Sequence, residues 1–266
     1  MKKLIVANWK MNPQSLEQAR KLVASWDHRL SSLAEHTQLV VCAPFVFLPG
    51  LTHHGSHIKF GAQNLSWQES GALTGEVSAV QLKQFRVEFV ILGHSERRLF
   101  LGETDSVVNA KIFQSLEHKI TPIVCLGGEE GATKDQMKSL VTRQFNACTK
   151  DLDKTQLEKI VYVYEPVWAI STMKKSLPAG QAGEPATGEH ASELIEHIYS
   201  LLGKRMGDGA ARNVRVLYGG TVNQNNVAEY AKFPNIDGAL VGAASLDSEN
   251  LWQVMKEFNR EAIHKN

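Results

Sequence analysis

Three apolar runs, far apart in the chain, are each followed closely by a side chain that can take part in chemistry. These side chains are Lys10, His94 and Glu165. Short runs rich in β-branched and aromatic residues, bounded by turn residues, are typical of buried strands. A carboxylate can remove a proton, a neutral imidazole can donate a hydrogen bond to a carbonyl oxygen, and a cation can hold an anion. The three residues therefore predict an active site at the C-terminal ends of parallel strands.

Each of these residues also has an ordinary interpretation. Glu165 could be a surface glutamate, and His94 a structural histidine bonded to the backbone. Lys10 is harder to explain in this way, because a cation at a strand end inside a barrel needs an anionic partner. Glu96 is the candidate partner within the chain.

Strand-like and helix-like patterns alternate along all 266 residues. Eight such units predict a single α/β domain over residues 1–266, a closed (β/α)₈ barrel of parallel strands surrounded by helices. An open, doubly wound sheet is the alternative, but no GxGxxG motif opens the first helix. Apolar residues from Leu16 to Leu33 recur every three or four positions and predict a helix with Ser15 as its N-cap. The strands are predicted near 4–9, 38–43, 58–63, 88–93, 121–125, 160–165, 214–218 and 237–241.

Composition gives little support for nucleic acid, a membrane or a metal as partner. Lys and Arg total 29 and Asp and Glu total 28, so the chain is almost neutral. The first apolar run is too short for a signal peptide, and three cysteines do not form a disulfide framework, so we expect a cytoplasmic protein with reduced thiols. The spacing His53-His54-x-x-His57 could suggest a metal site, but it lacks a fourth ligand, and we predict none.

Glycine-rich turns follow the seventh and eighth predicted strands. Gly220 and Thr221 lie in the first turn, and Gly242 and Ala243 lie in the second. Glycines let backbone N–H groups approach an anion, and phosphate sites in barrels often form after strands seven and eight. A single turn of this kind is usually structural, whereas two turns at these places predict a phosphate site.

Together these segments resemble the triosephosphate isomerase family. The resemblance spans nearly the whole chain in the family's order, and GHSERR and YEPVWAI are its most specific motifs. The matching segments are residues 8–12, 62–64, 74–76, 92–98, 164–170, 218–220 and 240–242.

The resemblance implies a glycolytic isomerase that interconverts dihydroxyacetone phosphate and D-glyceraldehyde 3-phosphate without a cofactor. It implies that Glu165 is the base and that neutral His94 polarises the carbonyl oxygen. Lys10 would stabilise the enediolate and phosphate charges, Asn8 would add a hydrogen bond to the reacting oxygen, and Glu96 would hold the Lys10–His94 neighbourhood in place.

The resemblance also implies a phosphate site and a homodimer. Thr74 matches the tip of a loop that reaches the partner subunit, and Arg97 matches a residue near that loop. The phosphate-binding residues implied are Ser171, Gly220, Thr221, Gly242 and Ala243.

The chain departs from the family pattern in the loop after the sixth strand. An extended lid is predicted at about 166–187, roughly ten residues longer than the family's, with Ser171 and Met173 in place of glycines. Ala243 replaces a usual glycine, and Gly128 a usual glutamate. We expect an active enzyme with weakened substrate retention. The alternatives are a divergent barrel with weak activity and a related isomerase with altered sugar-phosphate specificity.

Overall fold

A computed structural model describes residues 1–52, 57–128, 134–166 and 186–263. Eight parallel strands form one closed ring in sequence order, so the predicted (β/α)₈ barrel is confirmed. The predicted strand positions agree with the structure within about two residues, and the largest shift is in β7, which begins at Val216 instead of residue 214. The strands are β1 (Lys3–Asn8), β2 (Thr37–Ala43), β3 (Ile58–Ala62), β4 (Phe89–Leu92), β5 (Thr121–Leu126), β6 (Val161–Tyr164), β7 (Val216–Tyr218) and β8 (Gly238–Val241).

The pairing of β1 with β8 closes the ring and rules out the open-sheet alternative. Leu4 lies opposite Gly238, and Ala7 lies opposite Val241. On its other side β1 pairs with β2, with Asn8 opposite Cys42. Because all strands run in the same direction, their C-terminal ends meet at one face of the barrel.

Helices surround the ring, and within the described ranges short 3₁₀ helices occupy Phe45–Phe47 and Ala243–Leu246. The α-helices are α1 (Leu16–Leu30), α2 (Leu48–Leu51), α3 (Ala79–Gln84), α4 (Ser95–Leu101), α5 (Asp105–Glu117), α6 (Lys134–Cys148), α7 (Lys154–Leu157), α8 (Gly188–Met206), α9 (Asp208–Ala211), α10 (Val227–Ala231) and α11 (Ser248–Ile263).

Helix α1 illustrates how local sequence sets these elements. Ser15 caps it as predicted, because its side chain accepts a hydrogen bond from the Gln18 N–H group at 3.2 Å. Ala19, Val23 and Trp26 lie on one face and are buried. In the part of the chain that the structure covers, none of the helices combines the length and apolar character that a membrane span requires.

The core has two layers, because successive strand residues point to opposite faces. One layer fills the barrel interior and includes Val6, Cys42 and Cys125. The larger layer lies between the strands and the helices. All three cysteines are unpaired and buried, and burial raises the pKa of Cys42, Cys125 and Cys148. The thiols are therefore protonated and unreactive at neutral pH.

Gly238 tests the closure of the ring. Its φ is +148°, and a Cβ atom there would lie 1.9 Å from the Leu4 carbonyl oxygen. Gly238→Ala is expected to lower the free energy of unfolding by about 3 kcal/mol or more, as measured by urea denaturation. The control is Gly209→Ala in α9, where a Cβ atom would meet nothing within 4 Å. This change should be neutral or stabilise by up to about 1 kcal/mol. Equal effects of the two substitutions would contradict the close approach of β8 to β1.

Candidate active site

A pocket of about 440 Å³ opens at the C-terminal ends of the strands. One part of its wall comes from β1, β4 and β6, and the other from the loops after β7 and β8. Most of the site residues predicted from the sequence therefore line one cavity. They are Asn8, Lys10, His94, Glu165, Gly220, Thr221, Gly242 and Ala243.

Glu165 is a buried carboxylate that faces His94. Its Oε2 atom accepts a hydrogen bond from the Ser95 N–H group at 2.9 Å. Its Oε1 atom lies 3.0 Å from His94 Nε2. Oε1 and the His94 ring form a close ionic contact, and no described residue gives Oε1 an aligned hydrogen bond. A buried carboxylate oxygen without a donor is well placed to accept a proton.

The electrostatics of the site keep Glu165 ionised. Burial acts to raise the pKa of Glu165, but the His94 ring, the Ser95 N–H group and the Lys10 ammonium outweigh burial and lower it. For His94, burial disfavours the imidazolium ion, whereas the charges of Glu165 and Glu96 favour it, and the pKa of His94 is raised. This direction opposes the neutral ring that the resemblance implies, because two carboxylates face the imidazole. The carboxylate is therefore available as a base at neutral pH.

The position of His94 defines which ring nitrogen carries the hydrogen when the ring is neutral. His94 is the N-cap of α4, and its Nδ1 atom accepts a hydrogen bond from the Glu96 N–H group at 3.2 Å. That bond needs a lone pair on Nδ1, so the neutral ring carries its hydrogen on Nε2. The donor then lies beside Glu165 and lines the pocket.

Lys10 reaches the pocket from a strained backbone position. Its φ is +54°, in the left-handed region that non-glycine residues rarely occupy. The Gln63 side-chain amide donates to the carbonyl oxygens of both Lys10 and Cys42 at 2.9 Å and so holds this turn. Lys10 Nζ lies 2.5 Å from Glu96 Oε1, which is the pairing expected from the sequence. Asn8 Oδ1 accepts a hydrogen bond from the Lys10 N–H group at 3.2 Å.

A buried network of charges supports the start of the histidine loop. Glu103 accepts a hydrogen bond from the Gly93 N–H group at 3.1 Å, immediately before the histidine. It also accepts from Lys111, which is 1% exposed, and from Arg97 Nε at 3.1 Å. Burial acts to raise the pKa of Glu103, but Lys111 and Arg97 lower it. Sequence analysis did not identify Glu103 or Lys111, because neither has a distinctive local pattern.

Gln144 supports the segment beside Glu165 and was also missed. Its side chain donates to the Gly127 carbonyl oxygen at 3.0 Å and accepts from the Gly127 N–H group at 2.7 Å. A Cβ atom on Gly127 would lie 2.5 Å from the Glu165 carbonyl oxygen, so only glycine fits there. Gly128 follows with a φ of +116°, a conformation that glycine adopts readily.

The opposite wall of the pocket offers backbone donors. The 3₁₀ helix Ala243–Leu246 starts at the pocket, and N–H groups in a first helical turn have no acceptor within their helix. Such groups bind anions. A Cβ atom on Gly242 would lie 3.8 Å from Lys10 Nζ, so the ammonium group borders this loop. An anion held here would contact both the backbone donors and the cation.

The remaining predicted residues lie elsewhere. Glu96 and Arg97 line a neighbouring cavity of about 380 Å³, and Thr74 is exposed on a loop. Ser171 and Met173, and nearly all of the predicted lid, lie outside the described residues. His57 is exposed, His53 and His54 are not described, and the described ranges hold no group of three or more His, Cys, Asp or Glu residues suited to a metal ion.

Fold and site together define a (β/α)₈-barrel enzyme. Its pocket combines a buried carboxylate, a hydrogen-bond donor and backbone N–H groups suited to an anion, which are the groups that a proton-transferring isomerase requires. The family model described as triosephosphate isomerase matches residues 3–258. The chain belongs to the triosephosphate isomerase family.

Relatives that carry this name match almost end to end. The triosephosphate isomerase of Clostridium botulinum (strain Eklund 17B / Type B) is 42% identical over 94% of this chain and 97% of its own length. That of Dehalococcoides mccartyi is 40% identical over 97% of each chain. That of Acetivibrio thermocellus is 39% identical over 96% of this chain and 98% of its own.

The Glu103–Lys111 pair is expected to dominate the stability of the His94 loop. Lys111→Met leaves a buried carboxylate with one partner fewer and should lower the free energy of unfolding by about 3–5 kcal/mol in urea denaturation. The matched control is Lys21→Met, because Lys21 pairs with Glu17 on the exposed face of α1. That change should leave the unfolding midpoint unaltered. A comparable loss in both variants would show that the buried pair has no special weight.

Proposed function

We propose that this chain interconverts dihydroxyacetone phosphate and D-glyceraldehyde 3-phosphate as a glycolytic isomerase. The observation that carries the proposal is the meeting of Glu165, His94 and Lys10 in one pocket that also includes the glycine loops. Family membership over residues 3–258 supports the same reaction. The alternatives of a divergent barrel or an altered sugar specificity have no comparable support.

Glu165 moves the proton in the proposed reaction. Its carboxylate takes a proton from the carbon next to the substrate carbonyl; the electron pair of that C–H bond forms a carbon–carbon double bond, and a pair of the C=O bond moves onto the carbonyl oxygen. The product of this step is an enediolate. The hydroxyl proton then passes to the charged oxygen, a new carbonyl forms at the carbon that carried the hydroxyl, and Glu165 returns a proton to the neighbouring carbon, so the carboxylate is regenerated and no atom is gained or lost. The Oε1 atom, which receives no aligned hydrogen bond from a described residue, is the acceptor that this step requires.

His94, Lys10 and Asn8 stabilise the enediolate. The His94 Nε2–H group donates to the oxygen on which negative charge develops, and the Lys10 ammonium lowers the energy of that charge. Asn8 is 5% exposed, lines the same pocket and adds a donor. Glu96 acts indirectly, because its carboxylate holds Lys10 and its N–H group holds the His94 ring.

The substrate phosphate binds the opposite wall in this proposal. Gly220, Thr221, Gly242 and Ala243 line that wall, and backbone N–H groups there suit a phosphate dianion. Ser171 as a further phosphate ligand, and the lid at about 166–187, stay predictions from the sequence.

The proposal includes a homodimer in the cytoplasm. Met11, Phe100 and Leu101 surround the cavity behind Lys10 and are 88%, 58% and 66% exposed, respectively. Exposed apolar clusters of this kind mark protein interfaces. Arg97 lines the same cavity, and Thr74 is the exposed loop residue that the partner would present to it. A two-fold arrangement buries the same cluster on both subunits. The cytoplasmic location follows from the glycolytic role.

Glu165→Gln tests the base directly. The amide cannot accept the proton, so kcat should fall by about a hundredfold to ten-thousandfold in a coupled assay on D-glyceraldehyde 3-phosphate. Glu17→Gln on the exposed face of α1 is the control and should leave kcat unchanged. Wild-type turnover in Glu165→Gln would refute the assigned role, and an inactive wild-type protein would refute the function.

Phe100→Asp tests the dimer. Light scattering of the wild-type protein should give twice the 29.5 kDa chain mass. A charge in the apolar cluster should shift the protein toward monomer, because the interface would bury an unpaired carboxylate. Ile263→Asp, at an exposed apolar residue of α11, should remain dimeric. A wild-type protein that is active only as a monomer would overturn the dimer.

A further inference from the structure

We infer that Tyr230 is a positioning residue for substrate binding, although it does not line the pocket. Tyr230 lies in α10, the helix that follows the loop after β7. Its ring is fully buried, and its hydroxyl donates a hydrogen bond to the Ala186 carbonyl oxygen at 2.9 Å. Ala186 lies two residues before the start of α8, so the hydroxyl holds the residues that lead into that helix.

The Tyr230 ring is connected through Tyr218 to the phosphate wall, the name used here for Gly220, Thr221, Gly242 and Ala243. It stacks on Tyr218, with ring centroids 4.2 Å apart and an interplanar angle of 23°. The Tyr218 hydroxyl in turn fills the space beside Gly220, because a Cβ atom on Gly220 would lie 2.2 Å from it. Gly220 lines the pocket. One ring stack therefore connects Tyr230 to the wall on which the phosphate is proposed to bind.

A second contact ties residues 186–188 to α10. The Glu229 side chain accepts a hydrogen bond from the Gly188 N–H group at 2.8 Å. A Cβ atom on Gly188 would lie 2.3 Å from the Glu229 carbonyl oxygen and 2.7 Å from the Phe233 ring, so the two segments pack without slack. Residues 186–188 and the phosphate wall are thus positioned against one short helix.

The binding step, not the chemical step, should depend on this arrangement. Without the Tyr230 hydroxyl the Ala186 carbonyl group, which is buried, loses its partner, and the local packing gains alternative arrangements. If only a fraction of molecules keeps the phosphate wall in place, the apparent affinity for phosphate is the intrinsic affinity multiplied by that fraction. In the described structure no hydrogen bond, ion pair or ring contact joins Tyr230 to Glu165 or His94, so proton transfer in the bound complex should continue as before.

Tyr230→Phe tests this inference, since it removes the hydroxyl and keeps the ring stack. The dissociation constant of inorganic phosphate, measured by calorimetry, should rise about fivefold, the factor that one ordinary hydrogen bond represents. The KM for D-glyceraldehyde 3-phosphate should rise by a similar factor, while kcat changes less than twofold. The KM part of the test rests on the proposed function, whereas the calorimetry does not require activity.

Tyr199→Phe is the matched control. Like Tyr230, Tyr199 is buried and does not line the pocket. Its hydroxyl donates to the Asp237 carboxylate at 2.5 Å and lies 3.1 Å from the Val214 carbonyl oxygen, so Tyr199→Phe also removes a buried hydrogen bond. This variant should lose stability without a change in phosphate affinity or KM. If Tyr230→Phe behaves like Tyr199→Phe, Tyr230 is only structural and the inference fails.

Glu229→Ala decides the case if Tyr230→Phe does not fold. Removal of the hydrogen bond to Gly188 loosens residues 186–188 against α10, so this variant should also weaken phosphate binding. Unchanged phosphate binding would overturn the inference. An inactive wild-type protein that still shows the fivefold shift would refute the proposed function and support the role of Tyr230.

Discussion

The hydrogen-bonded pairing of β1 with β8 closes the ring of strands, and the geometry of the site depends on that closure. Lys10 follows the first strand and Gly242 follows the last, yet a Cβ atom on Gly242 would lie 3.8 Å from the ammonium nitrogen. His94 and Glu165 follow the fourth and sixth strands and approach to 3.0 Å. Groups separated by more than 200 residues become neighbours because parallel strands bring their C-terminal ends to one face of the barrel.

A buried carboxylate is useful as a base only if its charge is tolerated and its reactive oxygen is free. Glu165 meets both conditions, because its pKa is lowered and, in the described structure, only Oε2 receives an aligned hydrogen bond, from the Ser95 N–H group. The polar groups around it are themselves held: His94 by a backbone N–H group, Lys10 by Gln63, and the loop before the histidine by Glu103. These bonds restrict the positions of the three groups in the absence of substrate, and such preorganisation lowers the reorganisation that catalysis requires.

The strands and the reactive residues could be predicted from sequence patterns, because apolar periodicity and chemical type are local properties. The eight strands and the Ser15 cap were predicted in this way and are present. Gln63 and Gln144 were not identified as supports, because each bonds to main-chain atoms of other segments. Tyr230 was missed for the same reason: nothing in its own helix indicates a bond to a residue 44 positions away.

The most direct test of the account is the crystal structure of the protein with a three-carbon phosphorylated analogue of the enediolate. The account predicts a Glu165 oxygen within about 3–3.5 Å of the carbon that loses the proton. His94 Nε2 should lie about 3 Å from an analogue oxygen, and the phosphate should bind the N–H groups of the loops after β7 and β8. A phosphate bound elsewhere, or a Glu165 carboxylate turned away from the carbon chain, would contradict it.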